Sequence, residues 1–415
     1  MVIGKGSLHQ ELTKAEVREL LSLSLEVLPL SGKRLLVIIP DGTRTAPVAM
    51  FFSLLYEILG KRVKRLDYLI ALGTHPAMSE QSIERLIGVA SQVRPERYPN
   101  LSIFNHEWES ESYLTTIGEI TPKEVSSITS GLLNQKIQVR LNRRILDYDQ
   151  ILICGPVFPH EVVGFSGGTK YLIPGIAGPE IIDATHWLGA LATNLEIAGK
   201  KDTPVRQVID FAASFVTIPI LYINLCLKQH VLHGLFIGDS SEAWNAAADL
   251  SAKLNIITVP NPYERILSIP SEKYDELWTA AKAFYKTESI VVEGGEVIVY
   301  APHINKLSQS HGDQILKIGY HVRDYFTKQW GKFNRYPWAV LAHSTHLRGA
   351  GTFDNGIEKP RIQVTLATAI PPEICQKISL GYLDPRGIKL DEWKNCTNES
   401  RFLVQDAGET LYRLS

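Results

Sequence analysis

Four basic side chains stand in settings that suit proton transfer and the anchoring of a charged group. Residues 155–188, GPVFPHEVVGFSGGTKYLIPGIAGPEIIDATHWL, gather glycine and proline around His160, Lys170 and His186. Glycines at 164, 167, 168, 175 and 178 permit positive φ angles and close approach of backbone to a ligand. Amides exposed in such a loop suit a phosphate, and Ser166, Gly167 and Gly168 lead into Lys170. His75 stands in ALGTHP, and Asp41 and Arg44 stand in DGTRTAP. Histidine, with an ordinary pKa of about 6.5, can give or take a proton near neutrality. Arginine grips a carboxylate or phosphate with a two-pronged fork.

Common motifs do not account for this segment. A P-loop needs Gly-x-x-x-x-Gly-Lys-Ser/Thr, whereas Lys170 follows Gly-Gly-Thr and precedes Tyr171. A zincin helix needs His-Glu-x-x-His, but Gly164 stands where the second histidine would be. The GxGxxG dinucleotide fingerprint is absent, which disfavours an ordinary NAD-dependent oxidoreductase.

The polar clusters fall at the ends of apolar runs. Residues 34–40 (RLLVIIP) and 66–72 (LDYLIAL) read as buried strands ending at Asp41 and at Gly73-Thr-His75. Residues 46–59 and 79–89 read as helices, and 102–104 and 149–153 continue the strand series. Residues 211–227, the most membrane-like stretch, read as a helix end followed by a strand. This alternation predicts a largely parallel α/β sheet, with ligands beyond the carboxyl ends of its strands. After a turn at Pro260-Asn261-Pro262 come a helix over 271–287 and a strand over 289–300 that turns at Gly294-Gly295. A helix over 316–329 and strands at 339–342 and 361–366 follow. The expected fold class is α/β: two α/β domains with largely parallel sheets and an active site in the cleft between them. The first domain is expected over 1–287, carrying the cofactor attachment and the histidines. A substrate-covering domain is expected over 288–399, with the tail at about 400–415 packing back on the first.

The chain has 415 residues, 45% hydrophobic and 21% charged, enough for two cores. Its net charge of -1 argues against nucleic acid or a membrane surface as partner. Cys154, Cys226, Cys375 and Cys396 form no CxxC pair, and the start lacks a signal-peptide stretch, so a cytoplasmic location is expected.

Taken together, DGTR, GTHP, the lysine after Gly-Gly and the histidine that follows resemble the signature of the lactate racemase family, over most of residues 35–210. The resemblance implies that Lys170 is the covalent attachment point of a nickel pincer nucleotide, pyridinium-3,5-bisthiocarboxylic acid mononucleotide. It implies His186 as the nickel ligand, His75 and His160 as the catalytic acid–base pair, and Asp41, Arg44, Ser166, Gly167 and Gly168 as cofactor contacts. Enzymes that mature the cofactor become partners. The implied reaction removes the C2 hydrogen of a 2-hydroxy acid as hydride while a base takes the hydroxyl proton, and hydride then returns to the other face. Direct proton removal beside a carboxylate would be slow, so this route makes chemical sense.

The family's second domain supplies a substrate-binding lysine and glutamine. The comparable stretch here, EVIVYAPHINKLSQSHG, departs from that pattern, and Lys306 follows a different one. Arg44, His303, His346 and Arg348 are the candidate substrate contacts, with His311, His343 and Thr345 also available. Such polar groups fit a sugar acid such as gluconate; lactate or another short 2-hydroxy acid is the alternative. A non-catalytic nucleotide or nickel carrier is a further alternative. Plainer readings stand beside these: Asp-Gly is a common turn pair, Lys170 can simply contact a phosphate, and His106 supports the site from behind. His230 and His233 read as surface residues, and the His343–His346 spacing as a strand end rather than a metal site.

Overall fold

The run RLLVIIP forms the strand Arg34–Pro40, buried from its second residue onward. The computed structural model describes residues 2–239, 241–394 and 400–415, so Cys396 lies outside them. The strand sits inside a seven-stranded sheet of order Ile3–Gly6, Val231–Gly238, Ile220–Lys228, Gln150–Pro156, Arg34–Pro40, Arg65–Ala71, Ile103–Asn105. The five strands from Ile220–Lys228 onward are parallel; the other two add an antiparallel edge. Strands covered on both faces need nearly continuous apolar sequence, which these have. The helices Lys14–Glu26 and Val48–Leu59 supply Leu21, Leu25, Phe52 and Leu55 to the core on this sheet. Thr13 and Glu16 close a capping box at the first of these helices. The Arg34–Pro40 strand has Arg65–Ala71 on one side and Gln150–Pro156 on the other, so the winding reverses at that pair. Ligand sites in such sheets lie at that reversal.

The chain divides into two units. One comprises residues 1–158, 165–182 and 206–254, and the other residues 159–164, 183–205 and 255–415. The second unit holds a five-stranded, wholly parallel sheet: Gly381–Tyr382, Gln363–Thr368, Val291–Ala301, Tyr263–Pro270, Arg401–Ala407. Two α/β units with mostly parallel sheets match the expected class.

Several boundaries differ from the sequence reading. The division falls at residue 255 rather than 288, because Tyr263–Pro270 pairs with Val291–Ala301 and Arg401–Ala407. The tail does return to strands before residue 287, pairing Leu411–Leu414 with Ile256–Val259, but those strands belong to the second unit. Residues 159–164 and 183–205 also belong there, so His160 and His186 are not part of the first unit as expected. Gly294-Gly295 does not turn the chain; it lies within Val291–Ala301, opposite an irregularity in pairing between Tyr263 and Arg265. The helix expected over 271–287 is two single turns, Leu277–Ala280 and Lys282–Tyr285. The helix expected over 316–329 is broken at Gly319 (φ 72°) into Gly312–Ile318 and Arg323–Thr327. The strand expected at 339–342 is a helix, Trp338–Arg348, buried from Ala339 to Leu347. A helix covered all round loses the amphipathic period, and its apolar run then reads like a strand. Among the described residues no helix is long and apolar enough to cross a membrane.

Candidate functional site

In the first unit, Asp41 follows the Arg34–Pro40 strand and His75 follows Arg65–Ala71. Their side chains meet, with His75 Nδ1 2.5 Å from Asp41 Oδ2. The other carboxylate oxygen accepts from the Thr43 backbone N–H at 3.1 Å and the Thr43 hydroxyl at 2.6 Å. Burial alone would raise the Asp41 pKa, but the charge and hydrogen bond of His75, the Arg44 charge and Thr43 together hold it well below the usual carboxylate range. Asp41 is therefore an ionised acceptor, and the Nδ1 of His75 carries the proton. A neutral His75 then keeps its lone pair on Nε2, the arrangement of a general base. Asp41, expected as a cofactor contact, directs both its oxygens to His75 and Thr43.

Lys170 lies on a single 3-10 turn, Gly168–Tyr171, against the strands Arg34–Pro40, Gln150–Pro156 and Ile220–Lys228. Tyr171 packs so closely on the sheet that a Cβ at Gly155 would lie 2.3 Å from its ring. The Tyr171 hydroxyl has its pKa raised chiefly by burial. The Gly73 N–H donates to the Gly175 carbonyl at 2.9 Å, which ties the loop bearing His75 to the residues that follow Lys170. Gly167 and Gly168 adopt φ of 81° and 59°, and a Cβ at either would meet Val157 at 2.5 Å or the Trp244 ring at 2.9 Å. The Ser166 hydroxyl receives the Phe158 N–H at 2.8 Å and donates to the Pro156 carbonyl at 3.1 Å, tying the loop to its strand.

The loop has a support that sequence reasoning missed. Arg206 is buried under Trp244, with its guanidinium 4.2 Å from the ring centroid. It donates to the Phe165 carbonyl, to the Gly167 carbonyl at 3.4 Å and to the Thr169 hydroxyl at 3.0 Å. Burial lowers its pKa to about 10. The only sequence signal was an arginine within the apolar stretch of the helix Pro204–Ala213. His106 is a support too: its Nε2–H donates to the Ala177 carbonyl at 2.9 Å and its Nδ1 accepts from Asn142 at 3.2 Å. Burial pushes its pKa down to about 4, so it stays neutral.

In the second unit, His160 is buried and its Nδ1 accepts the Val162 backbone N–H at 3.1 Å. A neutral His160 therefore carries its proton on Nε2, the opposite tautomer to His75. The Glu161 carboxylate stands 3.8 Å from Nδ1 and 3.3 Å from the buried Lys286 ammonium. Lys286 also donates to the Pro159 carbonyl at 2.5 Å, so one ammonium clamps the segment bearing His160. Burial would raise the Glu161 pKa, but His160, Lys286 and Lys282 keep it ionised.

His186 is half-buried on the helix Pro179–Ala192. Next to it Trp187 stacks on Trp330 at 5.2 Å, and Asp183 accepts the Ala339 N–H at 2.9 Å. His346 lies within electrostatic reach of His186 and Glu161, and burial lowers its pKa to about 4. His303 is exposed and donates to the Tyr274 carbonyl at 2.9 Å, while Arg348 faces Glu358 at 3.9 Å. Of the candidate substrate contacts in this unit, His346 alone is buried.

The lactate racemase N-terminal domain family matches residues 7–198. The lactate racemase of Thermoanaerobacterium thermosaccharolyticum is 21% identical over 286 residues, 68% of this chain and 62% of that protein. The lactate racemase of Lactiplantibacillus plantarum is 22% identical over 312 residues, 72% of this chain and 69% of that protein. The chain belongs to the lactate racemase family. The T. thermosaccharolyticum lactate racemase apoprotein has the same fold, with a TM-score of 0.72 over 97% of this chain and 93% of that one at 17% identity. A Thermotoga maritima protein of known crystal structure is similar at 32% identity and a TM-score of 0.89, covering 98% of this chain and 100% of that one.

The residues of this lactate racemase family member fit a tethered metal-bearing nucleotide. Lys170 rises half-buried from a loop whose glycines leave no room for side chains. Among the described residues no three His, Cys, Asp or Glu side chains are placed to hold a metal ion.

Proposed function

We propose that this chain interconverts the C2 configurations of a 2-hydroxy acid, with a nickel pincer nucleotide attached to Lys170 and a sugar acid such as gluconate as substrate. The observation that carries this reading is the hydrogen-bonded Asp41–His75 pair, on a loop tied by the Gly73 N–H to Gly175 just beyond the Gly167–Gly168–Lys170 turn, at the ends of one parallel sheet. A mere carrier of nucleotide or nickel would have no use for that pair. When bound, the group supplies a hydride acceptor, held by Lys170 and by His186 as nickel ligand. His75, its Nδ1 proton fixed by Asp41, takes the substrate hydroxyl proton at Nε2. His160 offers Nε2–H to a substrate oxygen, and the Glu161 carboxylate stabilises that ring when it is charged. Arg44 binds the substrate carboxylate or the cofactor phosphate. Enzymes that mature the cofactor are the partners, and the free thiols of Cys154, Cys226 and Cys375 suit a cytoplasmic setting.

The polar side chains Thr345 and His346, which line a cavity in the second unit, favour a hydroxyl-rich substrate. Lactate is the second reading, favoured by the names of the two curated relatives. The test is co-expression with the maturation enzymes, intact mass measurement and incubation with D-gluconate or L-lactate. The expected result is added mass mapping to Lys170, lost in Lys170→Ala, and formation of the C2 epimer of gluconate. Racemised lactate with unchanged gluconate selects the second reading; a loaded chain that changes neither defeats both.

A further inference from the structure

One turn beyond His186 on its helix, the second unit encloses a cavity of about 110 Å³. Its polar lining is Thr193, Asn194, Glu288, Arg323, Thr345 and His346. Two of these present buried atoms without a hydrogen-bond partner, Asn194 Oδ1 and His346 Nε2. Asn194 is 6% exposed and His346 5% exposed. The Asn194 amide cannot turn over to hide its oxygen: its Nδ2 donates to the Tyr285 carbonyl at 3.0 Å and to Glu288 at 3.1 Å. Native folds rarely leave such groups unmet, since a buried donor or acceptor that has lost water and found no partner is costly. Thr193 adds a second mark of a built site. It is held at φ 73° and ψ 148°, a conformation nearly reserved for glycine. Arg323 is anchored by the Leu191 carbonyl at 3.0 Å and by Asp324, so it adds donors without a large excess of positive charge.

We infer that this cavity binds the neutral, hydroxyl-bearing tail of the substrate, beyond C3 of a sugar acid. Hydroxyls both donate and accept, which answers an unmet amide oxygen, an unmet imidazole nitrogen, two threonine hydroxyls and a guanidinium in one space. A second carboxylate would face the buried Glu288. The reach also agrees. Four residues of helix, from His186 to Ala190 on the cavity wall, advance about 6 Å. The four carbons beyond C2 of a six-carbon acid, at about 1.5 Å per bond, span at most about 6 Å. This inference rests on the sugar-acid reading and makes these residues its specificity determinants.

The test uses the cofactor-loaded enzyme with D-gluconate, the four-carbon acid D-erythronate and L-lactate. Wild type should show kcat/KM for gluconate at least tenfold above that for erythronate. Asn194→Leu and the bulkier rim variant Ala350→Leu should each erase that ratio, mainly by raising KM. Thr193→Gly, which relieves the backbone, should melt at a higher temperature than wild type yet raise the gluconate KM severalfold. If all three variants keep the wild-type KM for gluconate, the cavity holds only water and the inference falls while the substrate reading stands. If wild type turns over lactate and no sugar acid, the substrate reading itself has failed.

Discussion

The Asp41 carboxylate and the Val162 N–H fix which nitrogen of each catalytic candidate can act. The carboxylate holds a proton on His75 Nδ1, and the Val162 N–H keeps one off His160 Nδ1. Long-range 1H–15N spectra of the unmodified chain near pH 8 should therefore show His75 protonated at Nδ1 and His160 at Nε2. Asp41→Asn should release His75 from that tautomer and lower turnover of the loaded enzyme by about 10²–10⁴-fold. An unchanged His75 spectrum in that variant would remove Asp41 from its positioning role. Charge matters equally at Glu161, which meets both His160 and the buried Lys286. Glu161→Gln removes the carboxylate that faces the buried Lys286 ammonium, with an expected loss of about 3–5 kcal/mol in denaturant unfolding.

The loop that carries Lys170 is short and glycine-rich, so its own propensity cannot define its shape. Its rigidity comes from the helix Pro204–Ala213, through Arg206, and from Trp244, whose Nε1–H donates to the Ser166 carbonyl at 2.9 Å. Arg206→Leu would leave the Phe165 and Gly167 carbonyls without this donor. We expect about 3 kcal/mol of lost stability by urea denaturation. Hydrogen exchange should also quicken over residues 165–171. Wild-type exchange there with a lowered midpoint would mean that Arg206 serves the core and not the loop.

Stability of the chain as a whole carries a pH signature from His106. Its pKa is about 4 in the fold, against an ordinary value of 6.5, because burial disfavours the charged ring. The unfolded chain therefore binds the extra proton first as pH falls. The stabilisation from keeping the ring neutral is complete above pH 6.5 and is lost as pH drops from 6.5 through 4. At about 1.4 kcal/mol per pKa unit, the loss approaches about 3 kcal/mol. Melting temperature should fall over that window, and His106→Gln should lessen a fall to which the buried His343 and His346 also contribute. A variant that melts as steeply with acid as wild type would assign the signature to other groups.

The order of strands and loops at the start of the chain was legible because each link is local. Aliphatic runs end at Asp41 and at Gly73, and a parallel sheet puts such ends on one edge. The close-packed loop before Lys170 was legible for the same reason: two adjacent glycines need no distant partner to be noticed. What the sequence could not express were pairings between residues far apart. Tyr263–Pro270 lies inside the second sheet because Val291–Ala301 and Arg401–Ala407 pair on either side of it. Trp338–Arg348 is a helix buried from Ala339 to Leu347, which erases the period that would reveal it. The partners that aim the histidines, Asp41 for His75 and a backbone amide for His160, and the arginine beneath the lysine loop exist only once the chain is folded. Sequence determines which groups are available and which edge of a sheet they follow. Tertiary structure decides their protonation and aim, because a proton's position depends on neighbours within about 3 Å, brought there by contacts that no local spacing encodes.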